Sequence, residues 1–372
     1  MKKTIAAILA LTLLLCGCAA KPAETTAPIT EAPTEATTVP PTTEAPTEAP
    51  TEAPTEAPTE APTEPPVIYT NPLTGEVLEA PNNTRTVAVT INNVPHAIPM
   101  YGVSKADLVF EMFVNDYATR CLALFADIRE VWTVGSLRSL RYNFTDLCQT
   151  YDAIVVHASG SASVLNDLAN SGVPNLSAGT NGDHYSYRDI DRNNNGWAWE
   201  HCLFVKGPDT LECAEKKGYR ITREEDADYG LRFTEDGTPV DGEDATNITI
   251  NLVHGHATKP TVMTYEAEEG AYLFHQYNKV MYDASENQNI LFENVIVMFC
   301  TVTNKDVYHV ADLLGSGEGY FACGGKIIPI LWSHESMESP ILFTLTDGTP
   351  LELGVGNSYI AIAPLTSNVQ YE

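Results

Sequence analysis

Asp152-Ala-Ile-Val-Val-His-Ala-Ser-Gly-Ser161 decides the fold class. A run of apolar, β-branched residues passes straight into a Ser/Gly turn. The residues after it, Ala162 to Asn170, carry a helical apolar spacing, with Ser161 placed to cap their first turn. A strand that feeds a helix in this way belongs to a mixed α/β layer. Working outward, Thr86 to Ile91, Leu108 to Val114 and Cys121 to Ala126 read as strands, and Phe144 to Tyr151 reads as a helix. The pattern changes downstream. Asn247 to Val253 alternates, with Ile248, Ile250 and Leu252 on one face. Thr261 to Tyr265, Tyr272 to Tyr277, Val295 to Cys300 and Tyr359 to Ile362 also read as strands, with few helical patterns between them. The glycines of Gly315-Ser-Gly-Glu-Gly319, Gly324-Gly325 and Asp347-Gly348 read as turns. The expected fold class is α+β. A mixed α/β domain over 67–244 ends in a connector from about 212, and a smaller, mainly antiparallel β domain covers 245–366.

The chain has 372 residues and a formal net charge of -28, from 49 acidic and 21 basic side chains. Three of the bases lie in residues 1–21, and nine Glu but no base lie in 22–66. That leaves 40 acids and 18 bases in the body. Such a body is a poor partner for nucleic acid, whose binding rests on phosphate neutralisation, and an anionic membrane surface repels it.

Lys2 and Lys3 precede an apolar run, Ile5 to Leu15, which is too short to span a bilayer but fits a signal-peptide core. It ends in Leu15-Cys16-Gly17-Cys18-Ala19, which resembles a bacterial lipobox. Residues 1–18 therefore read as a lipoprotein signal, and the resemblance implies that Cys18 is lipidated and becomes the mature N-terminus. Residues 19–66 are Pro, Thr, Glu and Ala apart from Lys21, Ile29 and Val39, with Ala-Pro-Thr-Glu repeated five times from Ala45 to Glu64. No core can form from that composition, and the regular prolines favour an extended polyproline II stalk. At ~3.1 Å per residue it reaches roughly 150 Å. The expected location is the extracytoplasmic face of the cell membrane.

The body carries an ordered series of motifs. Asn71-Pro-Leu-Thr-Gly75, Val87 to Asn93 followed by Pro95 and Pro99, Gly102 to Glu111, Thr119 to Phe125, Gly135 to Arg141, Asp152 to Ser161, Tyr187-Arg-Asp189 and Glu200 to Phe204 come first. Asn294 to Phe299, Asp312 to Trp332 and Gly356 to Pro364 follow. Together they resemble the YerB-like bacterial lipoproteins, a family of two domains of unknown function known as DUF3048. The resemblance covers nearly all of 67–366. It implies an envelope lipoprotein of Gram-positive bacteria, and implies fold and location more than activity. The chain departs from that pattern at two places. His201-Cys202-Leu203 stands where His-Asn-Leu is expected, and Ser159-Gly160 stands where two glycines are expected.

Arg138 and Arg141 stand out in so acidic a body. At helical spacing they share a side, and two guanidinium forks can grip a carboxylate or phosphate. The other reading pairs them with the chain's own acids, such as Asp107 or Glu111. His157 ends a strand, and Ser161 opens the helix beyond it, a place where clefts form and anions are favoured. His157 and His201 could act as acid and base, or could simply be hydrogen-bonded. A zinc site would need a third ligand from Cys202, Glu111 or Asp189, and no spacing argues for one. Asp189, Asp191, Asn193, Asn195 and Glu200 form an incomplete calcium-loop pattern, since neither register supplies both the glycine and the twelfth-position Glu. The Ser residues after His157 lack the nucleophile-elbow pattern. Of the body cysteines, Cys202 and Cys213 are the best-placed pair for a disulfide, and a reducing host would leave all six as thiols.

Three functions fit these residues. The first is a non-catalytic binding module that holds an anionic envelope ligand or a protein partner at Glu111, Arg138, Arg141, His157, Ser161 and His201. The second is an envelope hydrolase, with His157 or His201 as base and Glu111 as acid. The third is a scaffold. No cofactor or metal is expected.

Overall fold

The computed structural model describes residues 68–180 and 183–372. The signal segment, Cys18 and the 19–66 stalk lie outside the described residues. The first half supplies strands β1 (Val87–Asn93), β2 (Leu108–Asn115), β3 (Ala118–Phe125), β4 (Ile154–His157) and β5 (Asn175–Ser177). Helices α1 (Tyr142–Thr150) and α2 (Ala162–Ser171) flank β4, and α3 (Ile190–Asn194) and α4 (Gly207–Lys216) follow. The second half gives β6 (Asn247–His254), β7 (Ala257–Glu266), β8 (Ala271–Gln276), β9 (Asn294–Cys300), β10 (Gly315–Cys323), β11 (Lys326–His334), β12 (Ser358–Pro364) and β13 (Asn368–Tyr371).

One mixed sheet contains strands from both halves, in the order β11-β10-β9-β12-β2-β3-β1-β4-β5. β12 lies between β9 and β2 and runs parallel to both. The border expected near residue 245 therefore divides the chain but not this sheet. β13, β6, β7 and β8 form a second, antiparallel sheet. The α+β expectation holds in its coarse form, but strands dominate more than the sequence patterns suggest.

Alternation along the strands splits the core in two. Ile91, Val109, Cys121 and Tyr359 pack with Ile248, Ile250, Met263 and Phe274 of the second sheet. On the opposite face Ala88, Phe110, Leu122 and Ile360 pack with Phe144 and Leu147 of α1 and Leu168 of α2. The helices expected at 144–151 and 162–170 are α1 and α2, and Ser161 caps α2 by accepting from the Val164 amide.

The Gly315–Gly319 run corrects the turn reading, because it opens the long strand β10. Close approach explains these glycines. A Cβ on Gly319 would stand 2.2 Å from the Val297 carbonyl oxygen, and one on Gly317 would stand 2.6 Å from Trp332 Nε1.

Ser159 adopts φ +131°, a backbone region that side chains disfavour. It occupies one of the two positions where the resembling family is expected to carry glycine. Ser159→Gly is expected to raise stability by about 1 kcal/mol, the relieved strain less the entropy that glycine adds to the unfolded chain. A rise in the urea midpoint at unchanged slope would show it, and an unchanged or lower midpoint would contradict it.

Candidate functional site

The pleat separates the candidate residues first. Glu111 on β2 pairs in register with Cys121 and Ala361, on the face toward the second sheet. Its neighbour Met112 pairs with Arg120, which in turn pairs with Asn92, on the helix-bearing face. Glu111 and the arginines are thus on opposite sides of one sheet.

Glu111 is 0% exposed, and its carboxylate is saturated by the protein itself. Oε1 accepts from Lys259 Nζ at 2.5 Å, Thr119 Oγ1 at 2.6 Å and Asn93 Nδ2 at 2.9 Å. Oε2 accepts from Gln276 Nε2 and Tyr359 OH, both at 2.6 Å, and from Thr261 Oγ1 at 3.3 Å. Burial pushes this carboxyl up, but the Lys259 charge and the surrounding donors outweigh it and hold the group below the usual glutamate range. A closed, ionised carboxylate cannot serve as a ligand contact or a general acid. Glu111 is instead a polar anchor between the two sheets, which corrects its expected role.

The arginines do come together, although not on a helix. Arg138 and Arg141 lie in the extended segment that leads into α1. The Arg138 amide donates to the Thr90 carbonyl at 3.0 Å, which fixes the segment against β1. Sequence reasoning missed a third member, Arg120 on β3. Arg120 Nη1 and Arg141 Nη1 both donate to the Ser139 carbonyl, at 2.5 and 3.4 Å. Both residues are 8% exposed. Arg141 also lies over the Tyr308 ring, 4.3 Å from its centre. Burial, then the like charges of Arg141 and Arg138, draw the Arg120 guanidinium well below the ordinary arginine range. Among the described residues neither Arg120 nor Arg141 has a carboxylate partner, and Arg138 pairs only with the exposed Glu200, at 3.2 Å. Asp107 and Glu111, the acids considered as partners, do not reach them. Asp107 binds Asn71 and the Ala126 amide instead.

His201 joins the rim of this cluster. The Asn92 side-chain Nδ2 donates to its Nδ1 at 2.7 Å, which places the ring proton on Nε2. Burial, and then the Arg138 charge, lower its pKa and favour the neutral ring. His157 is 1% exposed, and its Nδ1 bonds within its own turn, to the Ser159 carbonyl at 3.0 Å. Burial lowers its pKa as well. No hydrogen bond or ion pair among the described residues joins the His157 ring to His201 or to the arginines. Ser161 is occupied as the cap of α2 and bonds Ser163.

The calcium-loop residues are used differently. Asp189 caps the short helix α3 by accepting from the Arg192 amide at 2.8 Å. Asn193 donates to the Trp197 carbonyl, Asn195 donates to the Asp191 carbonyl, and Glu200 pairs with Arg138. A helical turn replaces the loop whose oxygens would have to converge on a cation, so the pattern is corrected to local capping. No cluster of three His, Cys, Asp or Glu among the described residues is arranged to hold a metal ion. The Cys202–Cys213 bridge is also absent. All six described cysteines are free, and buried Cys202 points its thiol at the Ala198 carbonyl.

The family model described as the N-terminal domain of a protein of unknown function, DUF3048, matches residues 73–220, and the model of its C-terminal domain matches 248–360. The chain belongs to the DUF3048 family. A relative, the putative lipoprotein YerB of Bacillus subtilis strain 168, is 26% identical over 297 residues, which are 79% of this chain and 86% of that protein. The crystal structure of the Bacillus subtilis YerB protein matches with a TM-score of 0.69 at 24% identity, covering 81% of this chain and 99% of that one. That likeness establishes a shared fold. The DUF3048 description names no activity.

Proposed function

We propose that this protein is a lipid-tethered, non-catalytic binding module that takes an anionic envelope ligand at Arg120, Arg138 and Arg141. Cys18 carries the lipid, residues 19–66 act as a spacer, and the body works on the extracytoplasmic face of the membrane. The tether draws support from the putative lipoprotein named among the relatives. One observation carries the binding reading. A body with 40 acids and 18 bases gathers three guanidinium groups and, among the described residues, gives them a single, exposed carboxylate. Packing like charges together without internal counter-charge costs free energy, and a carboxylate or phosphate from outside offsets it. Binding is favoured over hydrolysis because Glu111 is sealed on the far face of the sheet and His157 bonds within its own turn.

Calorimetric titration of inorganic phosphate into the full chain, at constant ionic strength, tests this. Saturable binding is expected, weakened at least tenfold by Arg138→Gln. Arg232→Gln, which removes an exposed arginine already paired with Asp228, should leave it unchanged. Equal weakening by both variants, or no saturable binding, would overturn the proposal.

A further inference from the structure

A cavity of about 390 Å³ opens beside the arginine cluster, lined by His96, Asn195, Gly196, Trp197, Ala198 and His201. Its size lies within the range of small-molecule sites. His201 and the preceding Glu200 connect it to the arginines. Glu200 holds Arg138 Nη2 at 3.2 Å, and Asn92, which holds His201, neighbours Arg120 across the sheet.

The lining has a particular chemistry. Trp197 is half-buried, its Nε1 donates to the Ile98 carbonyl at 3.1 Å, and Arg192 stacks on its ring at 4.9 Å. That fixes the indole as a rigid wall. Because Asn92 occupies His201 Nδ1, the Nε2 proton is the one left to donate into the cavity. Asn195 uses its amide nitrogen on the Asp191 carbonyl, which leaves its side-chain oxygen free to accept. His96 is exposed at the edge. The cavity therefore offers one flat aromatic wall, a neutral donor and an acceptor, with a guanidinium just beyond. A purely apolar ligand would leave those polar groups unmatched, and a bare anion would leave the aromatic wall unused.

We infer that the anion recognised here is carried on a saccharide: a sugar ring rests against Trp197, with its hydroxyls on His201 and Asn195, and its carboxylate or phosphate displaces Glu200 from Arg138. This rests on the arginine cluster being the anion site, and it adds the class of molecule that bears the anion.

The full chain is titrated with glucuronate, glucose 6-phosphate, glucose, acetate and inorganic phosphate. At least one sugar anion should bind tenfold or more tighter than its bare counterpart, and tenfold or more tighter than glucose. The pair that shows the gain, glucuronate over acetate or glucose 6-phosphate over phosphate, identifies the anion. Trp197→Ala should abolish that gain. His96→Ala, a change at an exposed position, should reduce it and guards against misfolding of the tryptophan variant. If phosphate binds but neither sugar anion exceeds its bare counterpart, the saccharide inference fails while the arginine site stands. If phosphate does not bind and the sugar anions bind no better than glucose, both fail.

Discussion

Lys259→Met is expected to destabilise the protein by about 3–5 kcal/mol, the cost of breaking a buried ion pair from one side. Lys259 and Glu111 come from strands 148 positions apart in sequence, and their side chains are 8% and 0% exposed. Methionine fills much of the lysine volume, so lost packing contributes little. What remains is a carboxylate sealed from solvent with no counter-charge. Its five other donors stabilise it only in part. The pH dependence follows from the direction of the Glu111 shift. Its folded-state pKa lies below the unfolded value, so the pair's contribution is fully present above about pH 4.3 and is lost as pH falls. The Lys259→Met penalty should therefore shrink on acidification, because a protonated Glu111 no longer needs the ammonium. Urea unfolding at pH 7 and at pH 4 measures both effects. Adding Glu111→Gln to Lys259→Met should recover part of the loss, since a neutral amide replaces the stranded charge. Lys326→Met breaks the exposed pair with Asp244 and should cost less than about 1 kcal/mol. A Lys259→Met cost as small as that would refute the anchor role.

The same network shows where sequence reading stops. Strands such as β1, β2 and β9 are legible because alternation with β-branched residues is a local signal. Helix α2 is legible from Ser161 and its apolar spacing. Register is not local. Whether Glu111 faces the helices or the second sheet depends on its pairing with Cys121 and Ala361, and a shift of one residue would reverse the answer. Its partners Lys259, Gln276 and Tyr359 lie on three separate strands of the second half, each unremarkable in its own segment. Arg120 was hidden for the same reason. Within Thr119 to Phe125 it looks like a polar residue at a strand end, and only the sheet brings it beside Arg138 and Arg141. A clue was present: a charged side chain stood on the alternation phase of Leu122 and Leu124, which predicts a buried position. The glycines of β10 misled because sequence cannot distinguish a turn from a backbone that must lie close to its neighbour.

Asp283→Ala is the second large loss to expect, at about 3 kcal/mol. Asp283 is 0% exposed and lies in the segment matched by the C-terminal family model, yet half of the six hydrogen bonds its carboxylate accepts come from the segment matched by the N-terminal one. Its carboxylate accepts from the Gly102 amide at 3.0 Å, the Ser104 amide at 2.9 Å and the Ser104 hydroxyl at 2.9 Å. It also accepts from Ser285, at 2.8 Å from the hydroxyl and 3.1 Å from the amide. Hydrogen bonds to a charged group are worth about 1.5–3 kcal/mol each, and removing their shared acceptor strands the Ser104 amide and leaves the Gly102 amide only Ser285 Oγ, at 2.9 Å. The terms are not additive, so about 3 kcal/mol is expected rather than their total. Asp283→Asn keeps one acceptor oxygen and should cost roughly half as much. Urea unfolding of both variants gives the magnitudes, and hydrogen exchange locates the effect. Faster exchange at residues 102 and 104, with β10 and β11 protected as before, is the expected pattern. If Asp283→Ala left exchange at 102 and 104 unchanged, the carboxylate would not be what joins the two family segments there. The continuous pairing of β12 between β9 and β2, together with the Glu111 network, would then have to carry that union.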